Sequence, residues 1–177
     1  MIADKHSQIS HVDYMHKALD LARKSPPRST NYRVGALLID ADKNTVISMG
    51  YTLECEGNTH AEQCCFIKLG KFYGVPEELL ENVMPENTLL YTTLEPCSRR
   101  LSGTLSCVDR ILRLQNKIKA VYVGMLEPST FVEENSGRGK LESAGIQVIF
   151  VSGLEREISD VATAGHRSQE AIDVTLA

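Results

Sequence analysis

Five short apolar runs restrict the fold of this chain more than any other feature of its sequence. They are five or six residues long and lie at 34–39, 45–49, 88–93, 120–124 and 146–151. Runs of this length between turn residues are typical of strands, because helices usually need about ten residues or more. The cluster Asp-Ala-Asp-Lys-Asn separates the first two runs and fits a hairpin.

Helical patterns alternate with the later apolar runs. The first helix is predicted over 12–24, with Ser10 as its N-cap, because Val12, Met15, Leu19 and Ala22 form one stripe. A second helix is predicted from His60 to Leu69, with a left-handed cap at Gly70. Shorter helices are expected at 76–80, 107–114 and 139–144, and helical spacing resumes after Gly153. A hairpin followed by β-α-β units predicts a layered α/β domain with a mixed sheet.

Length and composition indicate one ordinary globular domain. With 177 residues, the chain is expected to be a single domain over 1–177, with a core at about 11–151 and a helical extension at 154–177. No apolar run reaches the roughly 18 residues that span a bilayer, and the first residues lack a signal-peptide pattern, so we expect a cytoplasmic protein without a membrane partner. The net charge of -4 argues against a nucleic-acid partner and favours a small ligand.

Three short elements suggest a metal site. They are His60-Ala61-Glu62 at a helix start, Pro96-Cys97 at a strand end and Cys107 at the next helix start. One imidazole and two thiolates are a three-ligand set for tetrahedral zinc that leaves the fourth position open, as in catalytic sites. Glu62 can project into the same cavity without ligating the metal, and a carboxylate there can move protons for hydrolysis.

The spacing of the cysteines narrows this chemistry. The His-x-Glu and Pro-Cys pieces match zinc deaminases, in which the cysteines are usually two residues apart. Here nine residues, Ser98 to Ser106, separate Cys97 from Cys107. The other three cysteines fit no metal spacing, so Cys64 and Cys65 are interpreted as packing residues and Cys55 as incidental.

These segments resemble the deaminases of riboflavin biosynthesis, whose motif has a long loop between the two cysteines. The resemblance covers about residues 11–151 and includes Thr30–Ala36, Tyr91–Cys97, Cys107–Leu112, Glu127-Pro128, Gly137–Gly139 and Leu141–Val148. It implies a three-layer α/β/α cytidine deaminase-like fold with a five-stranded mixed sheet, a zinc cofactor and a homodimer. It also implies that Asn31 and backbone groups beside Ala61 orient a pyrimidine ring.

Departures from the bacterial pattern refine the expected substrate. The usual basic residue of the cysteine loop is missing, so Arg99 and Arg100 become the candidates for binding a substrate phosphate. The chain ends at Ala177 without the reductase domain of bacterial forms, which makes it more similar to the fungal branch. That resemblance implies deamination of 2,5-diamino-6-ribitylamino-4(3H)-pyrimidinone 5'-phosphate, a phosphorylated pyrimidine whose sugar has already been reduced.

Several alternatives remain open from the sequence. Within the same mechanism, the substrate could be the ribosylamino analogue, cytosine, guanine or a nucleoside, including tRNA adenosine. A zinc-stabilised binding module without catalysis would need a fourth protein ligand and no Glu62. An inactive relative serving as an oligomer subunit would not need the intact set of His60, Glu62, Cys97 and Cys107.

Overall fold

The computed structural model describes residues 10–128 and 136–166. Its strands are β1 (Gly35–Asp40), β2 (Thr45–Tyr51), β3 (Thr88–Leu94), β4 (Ile118–Met125) and β5 (Gln147–Phe150). Its helices are α1 (His11–Ala22), α2 (Ala61–Tyr73), α3 (Cys107–Leu112), α4 (Gly137–Ser143) and α5 (Glu155–Ala162). A 3₁₀ helix, Glu77–Asn82, follows α2. No helix in this described part is both long and apolar enough to cross a membrane.

The strands form one mixed sheet in the order β2-β1-β3-β4-β5. Strand β1 runs antiparallel to both β2 and β3, whereas β3, β4 and β5 are parallel to one another. The hairpin and the crossover helices predicted from the sequence are therefore confirmed. The cysteine loop begins shortly after the C-terminal end of β3, the central strand of the sheet.

Helices cover both faces of the sheet. On β1, Ala36 and Leu38 join a buried cluster that includes residues of α2, α3 and α4. Leu37 and Ile39 point to the other face, where they join a cluster with residues of α1 and α5. This alternation is the period of a strand buried on both sides. The expected three-layer α/β/α arrangement is confirmed.

The first helix has the predicted N-cap, Ser10, but it spans His11–Ala22 rather than 12–24. The Ser10 hydroxyl accepts from the Asp13 amide at 3.2 Å, and the Asp13 carboxylate accepts from the Ser10 amide at 3.0 Å. This reciprocal capping box satisfies amides that the helix itself leaves without partners.

The end of α2 differs from the prediction. The helix continues through Gly70 to Tyr73, and Gly74, with φ of 69°, forms the left-handed cap. A Cβ on Gly70 would lie 2.7 Å from the carbonyl oxygen of Val75, so this glycine permits a close approach of the returning chain. Gly74 rather than Gly70 therefore provides the positive φ that ends the helix.

The C-terminal extension is helical as far as it is described. Helix α5 is followed by a turn, 163–166, that returns to the loop before β1. The backbone amide of Arg33 donates to the Ala162 carbonyl at 3.1 Å. The remainder of the predicted extension, 167–177, lies outside the described residues.

Candidate active site

Three elements bring the predicted metal ligands together at one end of the sheet. His60 is the N-cap of α2, Cys97 follows the end of β3 and Cys107 is the first residue of α3. The cysteine loop, Ser98 to Ser106, leaves and returns at the same point, because the Val108 amide donates to the Cys97 carbonyl at 3.1 Å. The two thiols therefore lie side by side despite the long loop.

The spacing of the donor atoms fits a tetrahedral zinc ion. His60 Nδ1 lies 3.5 Å from the Sγ of Cys97 and 3.5 Å from the Sγ of Cys107. Zinc bonds of typical length meeting at tetrahedral angles place an imidazole nitrogen and a thiolate sulfur about 3.5 Å apart. All three donor atoms lie within 4.8 Å of one another. The three residues are thus positioned for a metal ion, while their individual roles as ligands stay predictions.

Without a metal, the two thiols share a hydrogen bond that separates their acidities. Donation from Cys107 lowers the pKa of Cys97, whereas the same bond and burial raise the pKa of Cys107. His60 also lies close enough to lower the pKa of Cys97. Because metal binding requires both thiolates, it would release the proton that this pair holds.

Glu62 lies beside the three donor residues and contacts Thr92 and Cys107. Its carboxyl group accepts from the Thr92 hydroxyl at 3.2 Å, and its Oε2 lies 3.4 Å from the Cys107 sulfur. The side chain is 3% exposed, and burial raises its pKa above the ordinary value for a glutamate. A buried carboxyl group next to an open metal position can take up and deliver a proton.

A pocket connects these residues to the surface. Its lining includes His60, Glu62 and Cys97. Asn31, the residue predicted to contact the ring, and its neighbour Tyr32 also line it. Glu95 and Glu127 also line it, and burial raises the pKa of Glu127 to about 7. Ala61 is buried at the first position of α2, where the helix leaves backbone amides without internal partners.

Asn31 is held on three sides at the wall of this pocket. Its side-chain amide donates to Asn58 Oδ1 at 2.8 Å, and its Oδ1 accepts from the Thr30 hydroxyl at 2.8 Å. The Nε2 of His166 donates to its carbonyl oxygen at 3.1 Å. A Cβ on Gly165 would lie 2.4 Å from the Arg28 amide nitrogen, so the C-terminal turn packs directly on this loop.

The structure places the two candidate phosphate ligands differently. Neither arginine lines the pocket, and Arg99 is exposed. Arg100 is 8% exposed, and it donates to Gln63 Oε1 at 2.9 Å and to the Asn58 carbonyl at 2.5 Å. Two of its guanidinium nitrogens are therefore already bound to protein oxygens.

The other cysteines lie apart from the donor set. Cys65 is buried and donates to the Ala36 carbonyl at 3.4 Å, in agreement with a packing role. Cys64 donates to the Thr59 hydroxyl at 3.3 Å and also lies within hydrogen-bonding reach of Cys55. Cys55 therefore has a neighbour that its sequence spacing did not suggest.

Four residues of this site were given no role from the sequence, although Thr92, Glu95 and Glu127 lie within segments that carry the resemblance. Thr92 orients Glu62, Asn58 holds Asn31, and Glu95 and Glu127 line the pocket. Strand β3 contains three buried threonines, Thr88, Thr92 and Thr93, and only the fold shows which of them contacts Glu62. The other three lie in connecting segments whose path the sequence does not specify.

Comparison with known proteins identifies the family. The family described as "Cytidine and deoxycytidylate deaminase zinc-binding region" matches residues 8–125. The chain belongs to this deaminase family. The family's zinc-binding region includes all three donor residues, which supports the prediction of zinc as the cofactor.

Relatives within this deaminase family are similar over most of the chain. Diaminohydroxyphosphoribosylamino-pyrimidine deaminase of Schizosaccharomyces pombe is 37% identical over 89% of this chain and 36% of its own length. A crystal structure of Aspergillus oryzae Rib2 deaminase is 42% identical, with a TM-score of 0.82, and covers 92% of this chain and 95% of that one. A complex of the same Aspergillus protein with DARIPP is 43% identical, with a TM-score of 0.82 and coverage of 91% and 94%. The chain spans about a third of the length of the curated relatives that it matches.

Proposed function

We propose that this protein is a zinc-dependent hydrolytic deaminase of a phosphorylated pyrimidine in riboflavin biosynthesis. The observation that carries the proposal is the tetrahedral spacing of His60, Cys97 and Cys107 beside the buried carboxyl group of Glu62. A zinc ion bound there would lower the pKa of a water molecule and so supply a nucleophile at neutral pH.

The residues of the chain have separate tasks in this reaction. Glu62 takes a proton from the attacking water and passes it to the ring nitrogen, then takes the remaining proton of the added hydroxyl group and delivers it to the amine, which leaves as ammonia while the ring carbonyl forms. Its contact with Thr92 fixes the carboxyl group while leaving it 3.4 Å from the Cys107 sulfur. Asn31 and the backbone amides at the start of α2 orient the ring in the pocket.

The substrate is proposed to be the ribitylamino compound. The similarity to a diaminohydroxyphosphoribosylamino-pyrimidine deaminase and to a deaminase crystallised with DARIPP supports a phosphorylated diaminopyrimidine. Arg99 is proposed to contact the phosphate, because it is exposed and lies two residues after Cys97. A guanidinium group matches phosphate with two parallel hydrogen bonds.

The competing function without catalysis has less support. A structural zinc site is closed by four protein ligands. Among residues 10–128 and 136–166, the cluster that can hold a metal has three members, and Glu62 and an open pocket occupy the remaining side. This arrangement favours an enzyme over a zinc-stabilised binding module.

Ammonia release from four compounds tests the proposed function. The ribitylamino and ribosylamino phosphates, cytidine and guanine would each be incubated with the purified zinc-loaded protein. We expect turnover of the ribitylamino phosphate in preference to the other three. Turnover of only cytidine or guanine would reject the substrate, and turnover of none of them would reject the deaminase function.

The remaining expectations concern the assembled protein. The homodimer and the cytoplasmic location implied by the resemblance and the composition stay predictions. Sedimentation at micromolar concentration should give twice the 19.6 kDa mass of one chain. A monomer with full activity would reject the dimer as a requirement for the site.

A further inference from the structure

A chain of hydrogen bonds joins the cysteine loop to the loop before β1, which carries the pocket residue Asn31. Arg100 donates to the backbone carbonyl of Asn58, and the side chain of Asn58 accepts from the side-chain amide of Asn31. Asn58 thus receives one bond through its backbone and another through its side chain. It links two loops that are far apart in the sequence.

Arg100 has the burial of a structural group. It is 8% exposed, although it lies in a loop whose next four residues, 101–104, are exposed. Its second bond goes to Gln63 in the first turn of α2, the helix that also carries Glu62. The fork of the guanidinium group therefore ties the Asn58 backbone to the start of the catalytic helix. An ammonium group has enough donors for both acceptors but lacks the rigid planar geometry that fixes them relative to each other.

We infer that Arg100 is a positioning residue that acts through Asn58 to hold Asn31 against the substrate ring, rather than a ligand of the substrate phosphate. This inference rests on the proposed function, because it concerns the orientation of the same pyrimidine. Asn31 lines the pocket, whereas its partner Asn58 is exposed. The bond from Arg100 to the Asn58 backbone carbonyl joins this exposed residue to a buried side chain.

The consequence is a coupling between the cysteine loop and ring binding. A small displacement of a group that orients the substrate is expected to reduce turnover, since a misplacement of 1 Å can cost about a hundredfold. Loss of Arg100 should therefore affect every substrate with the correct ring, with or without a phosphate. A phosphate ligand would instead matter only when the phosphate is present.

Paired substrates separate the two roles. The kcat/KM of Arg100→Gln, Asn58→Ala and Arg99→Gln would be measured with the ribitylamino phosphate and with the same compound lacking its phosphate. We expect Arg100→Gln and Asn58→Ala to lose about tenfold on both compounds. Arg99→Gln should lose activity mainly on the phosphorylated one. A loss by Arg100→Gln confined to the phosphorylated compound would overturn the inference.

A double-mutant cycle tests whether Arg100 acts through Asn58. The kcat/KM of the variant carrying both Asn58→Ala and Arg100→Gln should be no lower than that of the less active single variant. Multiplied losses would show that the two residues act independently and would overturn the inference. Arg156→Gln, a charge change on the exposed face of α5, is the matched control and should retain full activity.

A spectroscopic measurement keeps this test independent of the proposed function. The side-chain amide signal of Asn31, assigned by its loss in Asn31→Ala, reports the bond to Asn58. It should shift in the same direction in Arg100→Gln as in Asn58→Ala, with zinc content unchanged in both. An unshifted signal in Arg100→Gln would reject the inference even if no pyrimidine is turned over. Asn58→Ala, at an exposed position, covers the case in which Arg100→Gln fails to fold.

Discussion

The carboxyl group of Glu62, in the first turn of α2, lies 3.4 Å from the sulfur of Cys107, the first residue of α3. This contact places a proton-carrying group next to a predicted zinc ligand without making it part of the ligand set. Glu62→Gln should therefore keep its zinc but lose turnover by about a hundredfold or more, because general acid–base catalysis contributes at least that factor. Metal content and ammonia release, measured on the same sample, check the retained zinc and the lost turnover. Unchanged turnover would reject the proton-transfer role.

Thr92 should matter for the rate although its described hydrogen bonds reach none of the three predicted metal donors. Its hydroxyl lies 3.2 Å from Glu62 Oε1 and 3.0 Å from the Leu94 carbonyl. Thr92→Val keeps the shape but removes the bond, and we expect kcat to fall about tenfold, which corresponds to the loss of one ordinary hydrogen bond. Thr92→Ser should restore most of the rate. A Thr92→Ser variant as slow as Thr92→Val would indicate that packing of the methyl group dominates.

Removal of zinc should destabilise the protein as well as inactivate it. A ligand that binds only the folded state at a thousand times its dissociation constant stabilises that state by about 4 kcal/mol. Cys107→Ser should therefore lose zinc and show a lower Tm, and a chelator should lower the Tm of the unmodified protein in the same way. Cys65→Ser, at a buried thiol bonded to Ala36, is the comparison that should keep zinc. Full zinc occupancy in Cys107→Ser would reject this ligand set.

Two glycine substitutions distinguish the role of the C-terminal turn from general stability. A Cβ on Gly165 would lie 2.4 Å from the Arg28 amide nitrogen, so Gly165→Ala should push the turn away from the loop that carries Asn31. We expect a rise in KM with a smaller change in kcat. Gly139 in α4 has nothing within 4 Å of a Cβ, so Gly139→Ala should keep the KM and raise stability by up to about 1 kcal/mol. Equal KM values for the two variants would contradict a role for the turn.

The sequence was sufficient for the elements and the donor residues because both depend on local patterns. The capping box at Ser10 and Asp13 is read from residues three apart, and the apolar runs define the strands directly. The end of α2 was misplaced because Gly70 and Gly74 look alike in sequence. Only the folded helix end, where Val75 returns against Gly70, shows which of them needs close packing and which needs a positive φ.

The surroundings of the donor residues depended on contacts between distant segments. Arg99 and Arg100 are adjacent and chemically identical, yet one is exposed and the other is bonded to Gln63 and Asn58. Nothing in a run of two arginines specifies which one turns inward. The choice follows from the path of the loop across the start of α2, and that path is a property of the folded chain.

The closed base of the cysteine loop has a consequence for the divergence of such enzymes. The Val108 amide bonds to the Cys97 carbonyl, so the positions of both thiols are independent of how many residues lie between them. Insertions, deletions and exchanges at the exposed positions 101–104 can accumulate without displacing the thiols. Substrate preference and catalytic power can therefore change separately, because different parts of the same short segment determine them.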